Sequence, residues 1–186
     1  MNKVNLISTR RSQPCHPGLP VKQEDIEVVL QAGCWAPTHK KSEPWRFTIF
    51  QGEGRQKLQA AWCENAAKNG KNVETIATKA FRAPVIITVW CAVGRGDKPI
   101  PVWEEEAATA ACCQNMLLAA EDLNLAAIWR TGGVGHMPEV QSLIPNFDIT
   151  KGDRIIGFIY LGQKDSNRPT PTRDIPNWAN KTTWIG

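Results

Sequence analysis

The run Val85-Ile86-Ile87-Thr88-Val89-Trp90-Cys91-Ala92 constrains the fold of this chain more than any other stretch. It is an unbroken apolar and β-branched segment with no polar alternation. That is the pattern of a strand buried on both faces, with packing layers on either side. A chain of 186 residues is long enough to supply such layers from one domain. At 42% hydrophobic and 22% charged residues, its composition is that of an ordinary globular protein.

The other elements can be read around that strand. Val4, Leu6 and Ile7 lie on a short helix that runs into Arg10-Arg11-Ser12, and a loop with Pro14, Pro17, Gly18 and Pro20 follows. Ile26, Val29, Leu30 and Gly33 recur at helical spacing, with Glu24 and Asp25 in the first turn, where acids suit the helix dipole. Trp45, Phe47 and Ile49 alternate with polar neighbours, apart from Phe50, and predict a strand. Arg55 to Lys68 is an amphipathic helix closed by Gly70, and a further helix runs from Val73 to Ala80. The longest helix spans Val102 to about Leu123; its middle, Ala107 to Cys113, is small all round, as in a central or interface helix. Ala126–Arg130 and Arg154–Leu161 are strands, the second ending at Gly162, and Pro138 opens a helix to about Leu143. Lys164 to Gly186 carries prolines and two Trp without a period, which predicts an arm packed on something. The expectation is a single α+β domain over 1–186 with four to five strands.

Charge and cysteine usage narrow the function. The net charge of +4, from 22 basic and 18 acidic residues, is spread without a long basic run. That suits small anionic ligands better than a polyanion, so no nucleic-acid partner is expected. The six cysteines include no C-x-x-C, so reduced thiols and a cytoplasmic setting are the expectation. With no long apolar run, no membrane span is expected. Three histidines without metal-ligand spacing argue against a metal site.

Three polar stretches stand out from generic core. Arg10, Arg11 and Ser12 could hold a phosphate, because guanidinium forks match oxyanion geometry. Equally, an arginine pair at a helix C-terminus can simply complement the dipole. The corner Ala36-Pro37-Thr38-His39-Lys40-Lys41-Ser42-Glu43-Pro44 is pinned by two prolines and presents His39. No Ser, Cys or Asp partner at a telling spacing makes His39 part of a nucleophilic triad. Thr131-Gly132-Gly133 follows a strand, and its backbone could approach a ligand, but it is neither a dinucleotide fingerprint nor a P-loop. Glu104-Glu105-Glu106 reads as helix surface.

Taken in order, Arg10-Arg11-Ser12, A-P-T-H-K followed by P-W-R-F, F-R-A-P-V-I-I-T-V and I-W-R-T-G-G resemble the FMN-dependent nitroreductase family. The likeness runs from about Leu6 to Gly162 and fits best the small single-domain NAD(P)H nitroreductases. The resemblance implies an α+β sandwich with a central mixed, mainly antiparallel sheet flanked by helices. It also implies a domain-wrapped homodimer with FMN at the subunit interface, and 164–186 as a C-terminal arm on the partner. Arg10, Arg11 and Ser12 would hold the FMN phosphate and ribityl chain. His39 would touch FMN, from the partner subunit, and Thr131, Gly132 and Gly133 would lie along it. Trp35 stands where close relatives tend to carry a basic residue that also touches FMN, and relatives more often show S-G-A at 131–133.

The implied chemistry is a two-step transfer, from NAD(P)H to FMN and on to a nitroaromatic, quinone or related electron-poor acceptor. No protein side chain is assigned a catalytic role. The competing readings are an FMN carrier or sensor without efficient turnover, and a basic nucleic-acid binder that stacks bases on its tryptophans.

Overall fold

The computed structural model describes residues 3–131 and 137–186. Among them, α1 (Lys3–Thr9) and α2 (Gln23–Cys34) precede β1 (Trp45–Gln51), α3 (Glu53–Lys68), α4 (Val73–Ala77) and β2 (Val85–Cys91). The chain continues through α5 (Val102–Asp122), β3 (Leu125–Arg130), α6 (Pro138–Gln141) and β4 (Arg154–Gln163). The strands form one sheet in the order β1-β2-β4-β3, with every neighbouring pair antiparallel. The parallel component is a single bridge between Ser12 and Ala127, on the outer edge of β3.

As its composition requires, β2 is buried along its whole length. Val85, Ile87 and Val89 face one apolar layer, built with Ile26 and Val29 of α2 and Cys112, Cys113 and Met116 of α5. Ile86 faces the other, with Leu58 and Trp62 of α3, Val140 of α6, and Phe158 and Tyr160 of β4. Helices α2 and α5 come close because Gly33 has no side chain. A Cβ there would sit 2.8 Å from the Cys112 Sγ and 2.9 Å from the Met116 Cγ. The small middle of α5 is thus a packing surface against both the sheet and α2.

Several sequence expectations shift. In β1, Trp45 is buried in the α2–α5 layer, but Ile49 is exposed and Phe50 is buried on the other side, beneath α3. An edge strand is covered unevenly, so alternation fails where the layer above it changes. Helix α4 stops at Ala77 and tightens into a 3-10 turn over Thr78–Phe81, while α6 stops at Gln141. Gly162 lies inside β4 rather than ending it. Its missing Cβ leaves room for Cys15, whose own Cβ would be only 2.6 Å away. Residues 166–186 are exposed throughout, with a single 3-10 turn at Ala179–Lys181.

Candidate active site

The Ala36–Pro44 corner leaves α2 after Trp35, which caps the helix and is 79% exposed. Ala36 is buried in the α2–α5 layer, and Pro44 accepts a hydrogen bond from the Ala92 N–H at 2.8 Å, so both ends of the corner are anchored. Between them the Thr38 and Ser42 hydroxyls share a hydrogen bond of 2.8 Å, and the Glu43 N–H donates to Thr38 Oγ1 at 3.3 Å. The backbone here is strained: Lys40, Lys41 and Glu43 have φ of 50°, 55° and 43°. Left-handed geometry costs a non-glycine residue roughly 1–2 kcal/mol, and such residues gather where a fold must present a side chain in one direction.

What the corner presents is His39. Its Nδ1 meets the carboxylate of Glu104, in the first turn of α5. With Nδ1–H donating to the carboxylate, Nε2 is the ring nitrogen left for a ligand. The three consecutive glutamates are therefore not a uniform helix surface. Glu104 orients His39, Glu105 is buried and accepts the Gly94 N–H at 2.9 Å, and Glu106 pairs with Arg154 at 3.5 Å. Sequence reading missed the first two roles; the available signal was the position of the run at the start of the one long helix. Beside the corner, Lys40, Lys41, Arg95 and Lys98 line a cleft of about 500 Å³.

Arg10, Arg11 and Ser12 sit at the other flank. The Ser12–Ala127 bridge lays this segment along the outer edge of β3, whose strand leads into the exposed Thr131. Among the described residues, the Arg10 side chain makes one hydrogen bond, Nη1 to Ser12 Oγ at 3.5 Å, which leaves the rest of its guanidinium edge without a partner there. Arg11 differs. It donates to the carbonyls of Ser8 at 2.6 Å, Arg10 at 2.9 Å and Pro171 at 3.0 Å, tying α1 to the C-terminal arm. Gly132 and Gly133 lie outside the described residues. No hydrogen bond or ion pair among the described residues joins His39 or Trp35 to Arg10, Ser12 or Thr131. The expected site residues thus form two groups on one chain.

Among the described residues, no cluster of His, Cys, Asp and Glu could hold a metal ion, and no helix is long and apolar enough to cross a membrane. All six cysteines are free.

With this geometry in place, the comparisons with known proteins become specific. The nitroreductase family model matches residues 7–163. The chain belongs to the nitroreductase family and is an oxidoreductase of that type. It is 32% identical to the protein named "Putative NAD(P)H nitroreductase YdjA" of Escherichia coli (strain K12), over 92% of this chain and 97% of that one. The nitroreductase-like family protein from Bacillus cereus superposes with a TM-score of 0.81 at 28% identity, covering 100% of this chain and 96% of the other. A nitroreductase with bound FMN from Bacteroides fragilis shares the fold at a TM-score of 0.75 and 20% identity, with 100% of both chains covered.

Proposed function

We propose that this protein is an FMN-dependent NAD(P)H oxidoreductase that reduces nitroaromatics, quinones or related electron-poor acceptors. The observation that carries this reading is the placement of Arg10 and Ser12 along β3, leading to Thr131, in a chain that matches the family model from residue 7 to 163. The donor set fits FMN. Among the described residues Arg10 has a free guanidinium edge for the phosphate, and the exposed Ser12 adds a hydroxyl beside it. Thr131 continues the same edge toward the ring. Arg11 fits less well as a direct ligand, because three carbonyls already occupy it.

Bound FMN would supply the redox chemistry, accepting two electrons from the nicotinamide and passing two to the acceptor. The chain's own residues bind and orient. Arg10 and Ser12 fix the phosphate end. His39, held by Glu104, offers Nε2 to the cofactor, and Trp35 gives an exposed ring at the end of α2. Lys40, Lys41 and Lys98 give the neighbouring cleft a positive field that favours the phosphates of NAD(P)H.

The two groups of site residues would meet in a homodimer, with His39 and Trp35 of one subunit facing Arg10 and Ser12 of its partner. Large apolar side chains support this assembly. Trp35, Trp103, Trp178 and Trp184 are 79%, 67%, 66% and 83% exposed, an unusual cost for a monomer. Residues 164–186 would be an arm of the single domain lying across the partner. Six free thiols suit a cytoplasmic setting.

Incubation with FMN followed by gel filtration tests this reading. The protein is expected to emerge yellow, as a dimer. A colourless protein at the dimer position would remove the flavin, and a flavin-loaded monomer would remove the shared site.

A further inference from the structure

The cleft of about 500 Å³ beside the Ala36–Pro44 corner lies between two anchored walls. One is the corner itself, with Lys40 and Lys41 held at φ of 50° and 55°. The other is the loop 94–100 that follows β2, and two buried carboxylates hold it in place. Glu105, 2% exposed, accepts the Gly94 N–H at 2.9 Å. Asp153, fully buried, accepts the Val93 N–H at 3.1 Å and Arg95 Nη2 at 2.8 Å. The two walls abut at Gly96, where a Cβ would lie 3.5 Å from the Ser42 Cβ.

Carboxylates are costly to bury, and here they fix what the loop presents. Arg95 is drawn back onto Asp153 and onto the Val93 carbonyl, the latter at 2.6 Å, so its guanidinium belongs to the wall. The ammonium groups of Lys40, Lys41 and Lys98 differ: among the described residues none has an ion pair or a side-chain hydrogen bond. Asp97 is the one carboxylate in the lining, and Ile100 the one apolar side chain. Three unpaired ammoniums against one carboxylate leave positive charge in excess. That excess matches a phosphate monoester, which carries about −1.5 to −2 at pH 7, better than the single charge of a diester. Lysine suits such a group as a compact point charge on a flexible stem.

We infer that this cleft reads the 2′-phosphate of NADPH, the group that separates it from NADH. Lys40, Lys41 and Lys98 close on the phosphate monoester, and Asp97 is left to accept from the adjacent 3′-hydroxyl. The nicotinamide end rests on the proposed flavin reading. His39 begins the turn that Lys40 and Lys41 complete, so a dinucleotide whose nicotinamide meets the flavin at His39 extends its adenosine end into the cleft. That reading leaves the two nucleotides equivalent, and the lysines choose between them.

The test titrates protein incubated with FMN against adenosine 2′,5′-bisphosphate, adenosine 5′-monophosphate and inorganic phosphate by calorimetry, then follows anaerobic flavin reduction by NADPH and by NADH. The bisphosphate should bind roughly tenfold or more tightly than either other probe, the size of a charge-assisted contact. NADPH should half-saturate reduction at a correspondingly lower concentration than NADH. Lys98→Gln, and separately Lys40→Gln with Lys41→Gln, should bring both ratios toward one, while Lys98→Arg, which keeps the charge, should retain most of the preference. A bisphosphate that fails to saturate, or binds no better than the monophosphate, would overturn the inference. Inorganic phosphate binding as tightly as the bisphosphate would reduce the cleft to a plain anion site and overturn it too. So would equal half-saturation by the two nucleotides, or ratios unchanged in both glutamine variants. Probe binding needs no turnover. A lysine-dependent bisphosphate preference beside a flavin that neither nucleotide reduces would therefore refute the flavin reading and leave the phosphate site standing.

Discussion

Single side chains carry the sharpest consequences. Arg10 and Arg11 are neighbours, yet among the described residues only Arg10 keeps a free guanidinium edge, while Arg11 holds the carbonyls of Ser8, Arg10 and Pro171. Arg10→Ala should therefore weaken FMN retention by about one to two orders of magnitude, the size of a lost charge-assisted contact, in an equilibrium dialysis measurement. Arg11→Ala should instead loosen the arm, read as faster proteolysis after residue 164, with a smaller effect on FMN. The cysteines divide in the same way. Burial pushes the Cys15 and Cys113 thiols up to about 12 and Cys91 to about 11, and drives Cys112 higher still. Exposed Cys34 should be alkylated first at neutral pH, and Cys63 second, by mass spectrometry, with the buried four modified only on unfolding.

At the scale of elements, the sheet and its two covering layers decide what is tolerated. Gly33→Ala places a methyl against Cys112 and Met116 where α2 crosses α5. The expected cost is about 1–3 kcal/mol of stability in denaturant unfolding, typical of overpacking a close contact. Helices α3 and α6 are joined by charge: Lys68 hydrogen-bonds Glu139 at 2.8 Å, and Asn65 donates to the same carboxylate at 3.0 Å. Chiefly through Lys68, the Glu139 carboxyl is held down to about 2 from an ordinary 4.5. A lowered carboxyl stabilises the folded state above its unfolded pKa, and that contribution is lost as pH falls from about 4.5 toward 2. Glu139→Gln should accordingly flatten the acid limb of a stability-against-pH curve in that window and leave the neutral-to-alkaline shape unchanged. The elements themselves were largely legible in the sequence. β2 announced itself by its unbroken apolar run, and α2 by its helical spacing. Ile49 and Phe50 were misread because burial at an edge strand follows what covers it, which local alternation does not encode. Gly162 was misread because a glycine marking a close approach looks identical, in sequence, to one marking a strand end.

Across the whole molecule, the candidate site was only partly readable. His39 and Arg10 stood out by residue type and place, but Glu104, which orients His39, is 65 residues away in sequence and hidden in a run of acids. Nor does any periodicity report that His39 and Arg10 occupy separate groups on one chain. The proposed homodimer of the 20.6 kDa chain would resolve that separation, and dilution below its dissociation constant should then release FMN together with the partner. Sedimentation followed at the flavin absorbance checks this, with colour confined to the dimer boundary. The central claim is that this chain binds FMN and turns it over with NAD(P)H, and anaerobic titration of the flavin-loaded protein tests it most directly. The predicted result is loss of the oxidised flavin absorbance on adding NADH or NADPH, and its return on adding a quinone or nitroaromatic. Flavin that stays oxidised with both nucleotides would contradict the account and leave a flavin carrier in its place.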